Sequence, residues 1–155
     1  MDVVPDFEDL LDSFSKHDVR YVVIGGLAFI FHVKPRFTKD MDLWVEPTEK
    51  NIRLANEALA DFGSPHLLDP ADTNQVLQIG VQPCRVDILL HVEGPTFERV
   101  WRKRIRSRYG RSPVNWIDMD SLIEIKEKID HPKHRLDVEY LLKVKEMRKG
   151  KKRRK

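Results

Sequence analysis

A chain of 155 residues with 41% hydrophobic and 34% charged side chains is too apolar to stay disordered, can bury roughly 68–70% of its unfolded surface, and has no apolar run of the ~18 residues a membrane span takes. The net charge of +3 conceals two basic segments, 99–111 and 145–155, of +7 each, which leaves −11 on the rest. Cys84 is the sole cysteine, so intrachain disulfides and cysteine zinc sites are excluded. The acidic start, Met1-Asp2-Val3-Val4-Pro5-Asp6, is unlike a secretory leader, and a reducing cytoplasm is the expected compartment.

Phe7, Leu10, Leu11 and Phe14 recur at i, i+3, i+4, i+7 and predict an amphipathic helix over about 5–17. Tyr21-Val22-Val23-Ile24 reads as a buried strand stopped by Gly25-Gly26, followed by a short helix over 27–33 that must end before Pro35. Asp40 to Val45 reads as a second strand. Thr48 caps a helix with the buried stripe Ile52, Ala55, Leu59 and Phe62, ended by Gly63. Residues 75–80 and 84–92 predict an antiparallel hairpin. Helices are expected at about 96–106, 119–129 and 133–148, with a short strand near Val114-Asn115-Trp116-Ile117. The fold class is α/β (α+β): a small mixed sheet flanked by helices, with a helical C-terminal third from about 118. Residues 1–144 are expected to form one domain and 145–155 a basic tail.

Strand alternation sends Asp40, Asp42 and Trp44 to one face and Met41, Leu43 and Val45 to the other, which sets two carboxylates about 7 Å apart. In Arg85-Val86-Asp87-Ile88-Leu89-Leu90 the same rule presents Asp87 opposite an apolar face. If these strands pair, three carboxylates converge, and crowded like charges call for a cation; hard oxygen donors suit Mg²⁺ or Mn²⁺. Asp40-Met41-Asp42 alone reads more readily as unrelated surface aspartates on half-exposed strands.

The preceding segment supplies context. An apolar strand, Gly25-Gly26, thirteen residues, Asp40-x-Asp42 in an apolar strand, then Asp87 in another: this order resembles the DNA polymerase β-like nucleotidyltransferase superfamily. The string Arg36-x-Thr38-x-Asp40-x-Asp42 is most similar to small stand-alone members among abortive-infection and toxin–antitoxin proteins. The resemblance implies that Gly25 and Gly26 hold a triphosphate, with Arg36, Thr38 and Lys39 beside it. It implies that Asp40, Asp42 and Asp87 hold Mg²⁺ or Mn²⁺, and that Asp87 helps deprotonate the attacking hydroxyl. The expected activity is transfer of an NMP from an NTP to an acceptor hydroxyl.

Lys126 falls in the apolar stripe of Met119, Leu122, Ile123 and Ile129, and with Asp137 is either a ligand-facing pair, near the triphosphate in similar proteins, or a structural ion pair. His134 replaces the first aspartate of a Lys-Asp-x-x-Asp string those proteins carry, and His131-x-x-His134 lacks a third metal ligand. On a helix the charges of 99–111 would surround the cylinder, so Arg102, Lys103, Arg104 and Arg106 are expected to bind an acceptor polyanion, RNA or tRNA, with a protein or small-molecule hydroxyl as the alternative acceptor. A cognate antitoxin or partner protein is also expected. The competing reading is a non-catalytic member of the fold, antitoxin-like, that binds nucleic acid or protein; three crowded carboxylates argue against it.

Overall fold

The computed structural model describes residues 1–36, 38, 40–81 and 83–153. Six helices surround a six-stranded mixed sheet of order β3-β4-β2-β1-β6-β5. The first helix, α1 (Pro5–Lys16), buries Phe7, Leu10, Leu11 and Phe14 as the spacing requires. Strand β1 (Tyr21–Ile24) is buried at every position. It stops where α2 (Gly25–His32) begins, and β2 (Asp40–Val45) returns antiparallel to it. Thr48 caps α3 (Glu49–Phe62) by accepting from the Asn51 backbone N–H, and Gly63 ends it in the left-handed conformation at φ 98°.

The expected hairpin is formed by β3 (Val76–Ile79) and β4 (Arg85–Leu89). Strand β4 also lies parallel to β2. After α4 (Phe97–Lys103) come β5 (Ile105–Tyr109) and β6 (Ser112–Trp116), an antiparallel pair turning at Gly110, φ 60°. The arginine-rich segment is therefore no continuous helix: it leaves the helical state at Arg104, and residues 105–109 form an edge strand. The period-2 order Ile105-Arg106-Ser107-Arg108-Tyr109 carries the strand signal, and the buried Tyr109 anchors it.

The C-terminal part consists of α5 (Met119–Glu127) and α6 (Pro132–Arg153), which pack together. Helix α6 continues without a break past residue 144, and Lys145 on it pairs with Asp120 at 2.8 Å. Trp44, on the aspartate face, is nevertheless buried at 3% exposure, because Phe97 of α4 packs edge-on against it with ring centroids 5.3 Å apart. At the β1–β6 junction the strands share one parallel pair, Val23 with Trp116.

Candidate active site

Register decides what the aspartates can do. In the antiparallel β1–β2 pair Asp42 stands opposite Ile24, the last residue before Gly25. In the parallel β2–β4 pair Asp42 stands opposite Asp87 and Asp40 opposite Arg85. Cross-strand neighbours share a face, so Asp40, Asp42 and Asp87 project together at one end of the sheet. One oxygen from each lies within 4.8 Å of the others.

Such crowding is costly, and the charges show it. Burial, then the neighbouring Asp40 and Asp87 carboxylates, push Asp42 up to about 7. Arg85 offsets part of the repulsion: its NH2 donates to Asp40 Oδ2 at 2.9 Å and to Asp87 Oδ2 at 3.2 Å. Its Nε lies 3.1 Å from Asp87 Oδ1, a contact of charges whose alignment falls short of a hydrogen bond. Arg85 was not among the residues the motif points to, although it lies two positions before Asp87 on a strand and must share its face. One guanidinium against three carboxylates leaves a net negative site with several oxygens free to coordinate, which fits a hard divalent cation.

Gly25 presses directly on this cluster and Gly26 on Thr38 beside it. Gly25 has φ 69°, and a Cβ there would lie 2.1 Å from Asp42 Oδ2. A Cβ on Gly26 would lie 2.9 Å from Thr38 Oγ1, which donates to the Asp40 carbonyl at 3.2 Å. The glycines therefore let the start of α2 sit against the acidic residues and the chain entering β2. Gly25→Ala should cost about 1–2 kcal/mol from the left-handed backbone alone, and should displace the Asp42 carboxylate. Urea unfolding reads the first effect and divalent-cation affinity the second; an alanine variant with unchanged affinity would mean that the close approach is not needed.

The other motif residues divide. Arg36 forms a two-pronged pair with Asp137, NH1 to Oδ1 at 2.6 Å and NH2 to Oδ2 at 3.1 Å, and lies over the Phe29 ring. Lys126, 2% exposed, donates to Asp137 Oδ2 at 2.9 Å. One buried aspartate thus joins α5, α6 and the segment before β2. Burial would raise the Asp137 carboxyl, but hydrogen bonds from Arg36 and Lys126 outweigh it and hold the group below its ordinary value. Lys126 also contributes to the wall of a cleft of about 420 Å³ that contains Gly25, Asp42 and Asp87. Apolar side chains, among them Val76, Leu89, Leu122 and Ile125, line much of the rest, and His134 is there with its Nδ1 unpartnered. Lys39 lies outside the described residues.

Arg102, Lys103, Arg104 and Arg106 are not beside the acids. Val23 pairs with Trp116 and Arg106 with Asn115, so Arg106 shares the sheet face of Asp42. It lies three strand spacings away and about two residues along, or about 16 Å.

No protein-family model and no curated protein matches the sequence. Solved structures do match. The crystal structure of the lincosamide antibiotic adenylyltransferase LnuA, lincomycin-bound, is similar at TM-score 0.62 and 15% identity over 92% of this chain and 99% of that one. That of ANT(2″)-Ia in complex with adenylyl-2″-tobramycin is similar at TM-score 0.56 and 13% identity over 96% of this chain and 95% of that one. The fold is that of a nucleotidyltransferase. In this chain the order strand, Gly-Gly, helix and acidic strand, with β4 paired beside β2, brings Gly25, Asp42 and Asp87 into one cleft.

Proposed function

We propose that the protein is a divalent-metal-dependent nucleotidyltransferase that moves an NMP from an NTP to an acceptor hydroxyl. The observation that carries this is the convergence of Asp40, Asp42 and Asp87 beside Gly25 in an open cleft; a binding module has no use for charges this crowded. Asp40, Asp42 and Asp87 are the residues that would hold Mg²⁺ or Mn²⁺. Bound there, the metal would neutralise phosphate charge and lower the barrier to displacement at phosphorus.

The chain's own contributions follow from its geometry. The missing Cβ of Gly25 lets the N-terminus of α2 close on Asp42, so that its backbone N–H groups would favour a phosphate held beside the acids. The acceptor oxygen bonds to the α-phosphorus, the bond from that phosphorus to the β-phosphate oxygen breaks, and pyrophosphate leaves. The hydroxyl proton passes to a carboxylate of the cluster, Asp87 by the family resemblance. Apolar residues such as Leu122 and Ile125 give the base and sugar a surface from which water is excluded. Arg85 holds Asp40 and Asp87 in register before the metal enters.

A small hydroxyl-bearing acceptor is supported by the two similar structures, one lincomycin-bound and one in complex with adenylyl-2″-tobramycin. An RNA or tRNA acceptor is the second reading, supported by the positive charge of α4 and β5. A toxin or abortive-infection role, with a cognate antitoxin, is supported by the Arg36-x-Thr38-x-Asp40-x-Asp42 string. The experiment is incubation with each radiolabelled NTP, Mg²⁺ or Mn²⁺, and either hydroxyl-bearing antibiotics or total RNA. Label is expected on one acceptor class, with none in EDTA. Label transferred equally well in EDTA would overturn the proposal.

A further inference from the structure

We propose that Arg20, Arg104 and Arg106, gathered around Trp101, form a second site, one that binds phosphate groups, away from the acidic cleft. A cavity of about 290 Å³ opens between the end of α1, the start of β1, α4 and the β5–β6 hairpin. All three arginines line it. The Arg104 guanidinium lies over the Trp101 ring, 3.7 Å from its centroid, and that of Arg20 lies at 5.5 Å. Arg104 NH1 is tied to the Trp101 carbonyl at 2.8 Å, and its Nε is buried with no hydrogen-bond partner.

Counter-charge is scarce. Arg20 reaches Glu46 at 3.4 Å. Among the described residues neither Arg104 nor Arg106 has a carboxylate partner, and Asp18 on the cavity wall pairs with none of the three. Burial, then the Arg106 and Arg20 charges, lower the Arg104 guanidinium from its ordinary value. Three like charges kept together, one of them held over Trp101, are arranged for an anion. A carboxylate brings one charge and two oxygens. A phosphate group brings up to about two charges and three free oxygens, which suits three forked donors better. Arg106 and Arg108 alternate onto one face of β5 and extend the charge outward from the cavity.

The phosphate can come from a free polyphosphate or from the backbone of a nucleic acid, and the test separates them. Binding of inorganic pyrophosphate and of a short single-stranded RNA is measured by calorimetry on the full chain in EDTA at low salt, where the metal-free acids repel anions. Binding of at least one is expected, weakened tenfold or more by Arg104→Gln/Arg106→Gln and hardly at all by Arg53→Gln/Lys143→Gln, which removes the same charge elsewhere. Pyrophosphate binding alone identifies a free polyphosphate, and RNA binding alone identifies a backbone. Arg20→Gln, an exposed change, gives the same reading if the double variant is unstable. Binding of neither ligand, or equal weakening by the control pair, would overturn the proposal. The readout is metal-free binding, so a failure of nucleotide transfer leaves it untouched.

Discussion

Asp42→Asn should lower nucleotide transfer by about 10³-fold or more, a loss of about 4 kcal/mol in transition-state stabilisation, while making the metal-free protein more stable. The amide keeps the size of the side chain and removes the charge that Asp40, Asp87 and burial all oppose. The sign can be followed through pH. A carboxyl raised to about 7 in the folded chain from 3.8 contributes stability that is complete below the unfolded value and lost as pH climbs through the folded one. Titration of Asp42 should therefore weaken the parent protein in EDTA between about pH 4 and pH 7, by on the order of 3 kcal/mol from this group. The asparagine variant should lack that fall and instead gain stability as pH rises, because burial holds the His32 and His134 imidazoles below their ordinary values, and Mg²⁺ should restore the parent but not the variant. Urea midpoints at pH 5 and pH 8, with and without metal, check all of this; transfer undiminished by the substitution would place the chemistry elsewhere.

The second large effect concerns folding. Asp137→Ala should destabilise the protein by about 3–5 kcal/mol, because it leaves Lys126 buried without a counter-charge and frees Arg36 as well. Burial already lowers the Lys126 ammonium, against the pull of Asp137. Without its partner the lysine must ionise at a cost or lose its proton. Lys126→Met in the alanine background should return much of the loss, since the charge that needs pairing is then gone. Unfolding in urea distinguishes the cases: a single variant as stable as the parent would mean that this three-way contact contributes little to the packing of α5, α6 and the segment leading into β2.

Period and punctuation carried most of the architecture. Helix α1, strand β2 and the Thr48-to-Gly63 helix match their expected spans because each has an uninterrupted apolar pattern and a chemically specific end. Asp40, Asp42 and Asp87 could be placed on faces by alternation, but their convergence depends on parallel pairing between strands 45 residues apart, which no local pattern encodes. β5 was hidden because arginines dominate the segment from 99 to 111, and charge conceals a period that only Ile105 and Tyr109 mark with apolar side chains. The same difficulty obscured what the arginines do: sequence proximity grouped Arg102 to Arg106, whereas folding groups Arg104 and Arg106 with Arg20, more than eighty residues earlier. Lys126 and Asp137 were visible as a pair. Arg36, the third member, lies a hundred residues away and belongs to a string that family likeness assigns to the nucleotide.

The pairing of β2 with β4 also has a consequence in time. During synthesis at about 5–20 residues per second, roughly 2 to 9 seconds pass between the emergence of Asp42 and that of Asp87. Until then the nascent chain holds two carboxylates that can remain hydrated. The third arrives two residues behind Arg85, on the same strand and face. Its neutralising partner is therefore delivered just ahead of it, and the growing chain never has to assemble the three acids without a cation at hand.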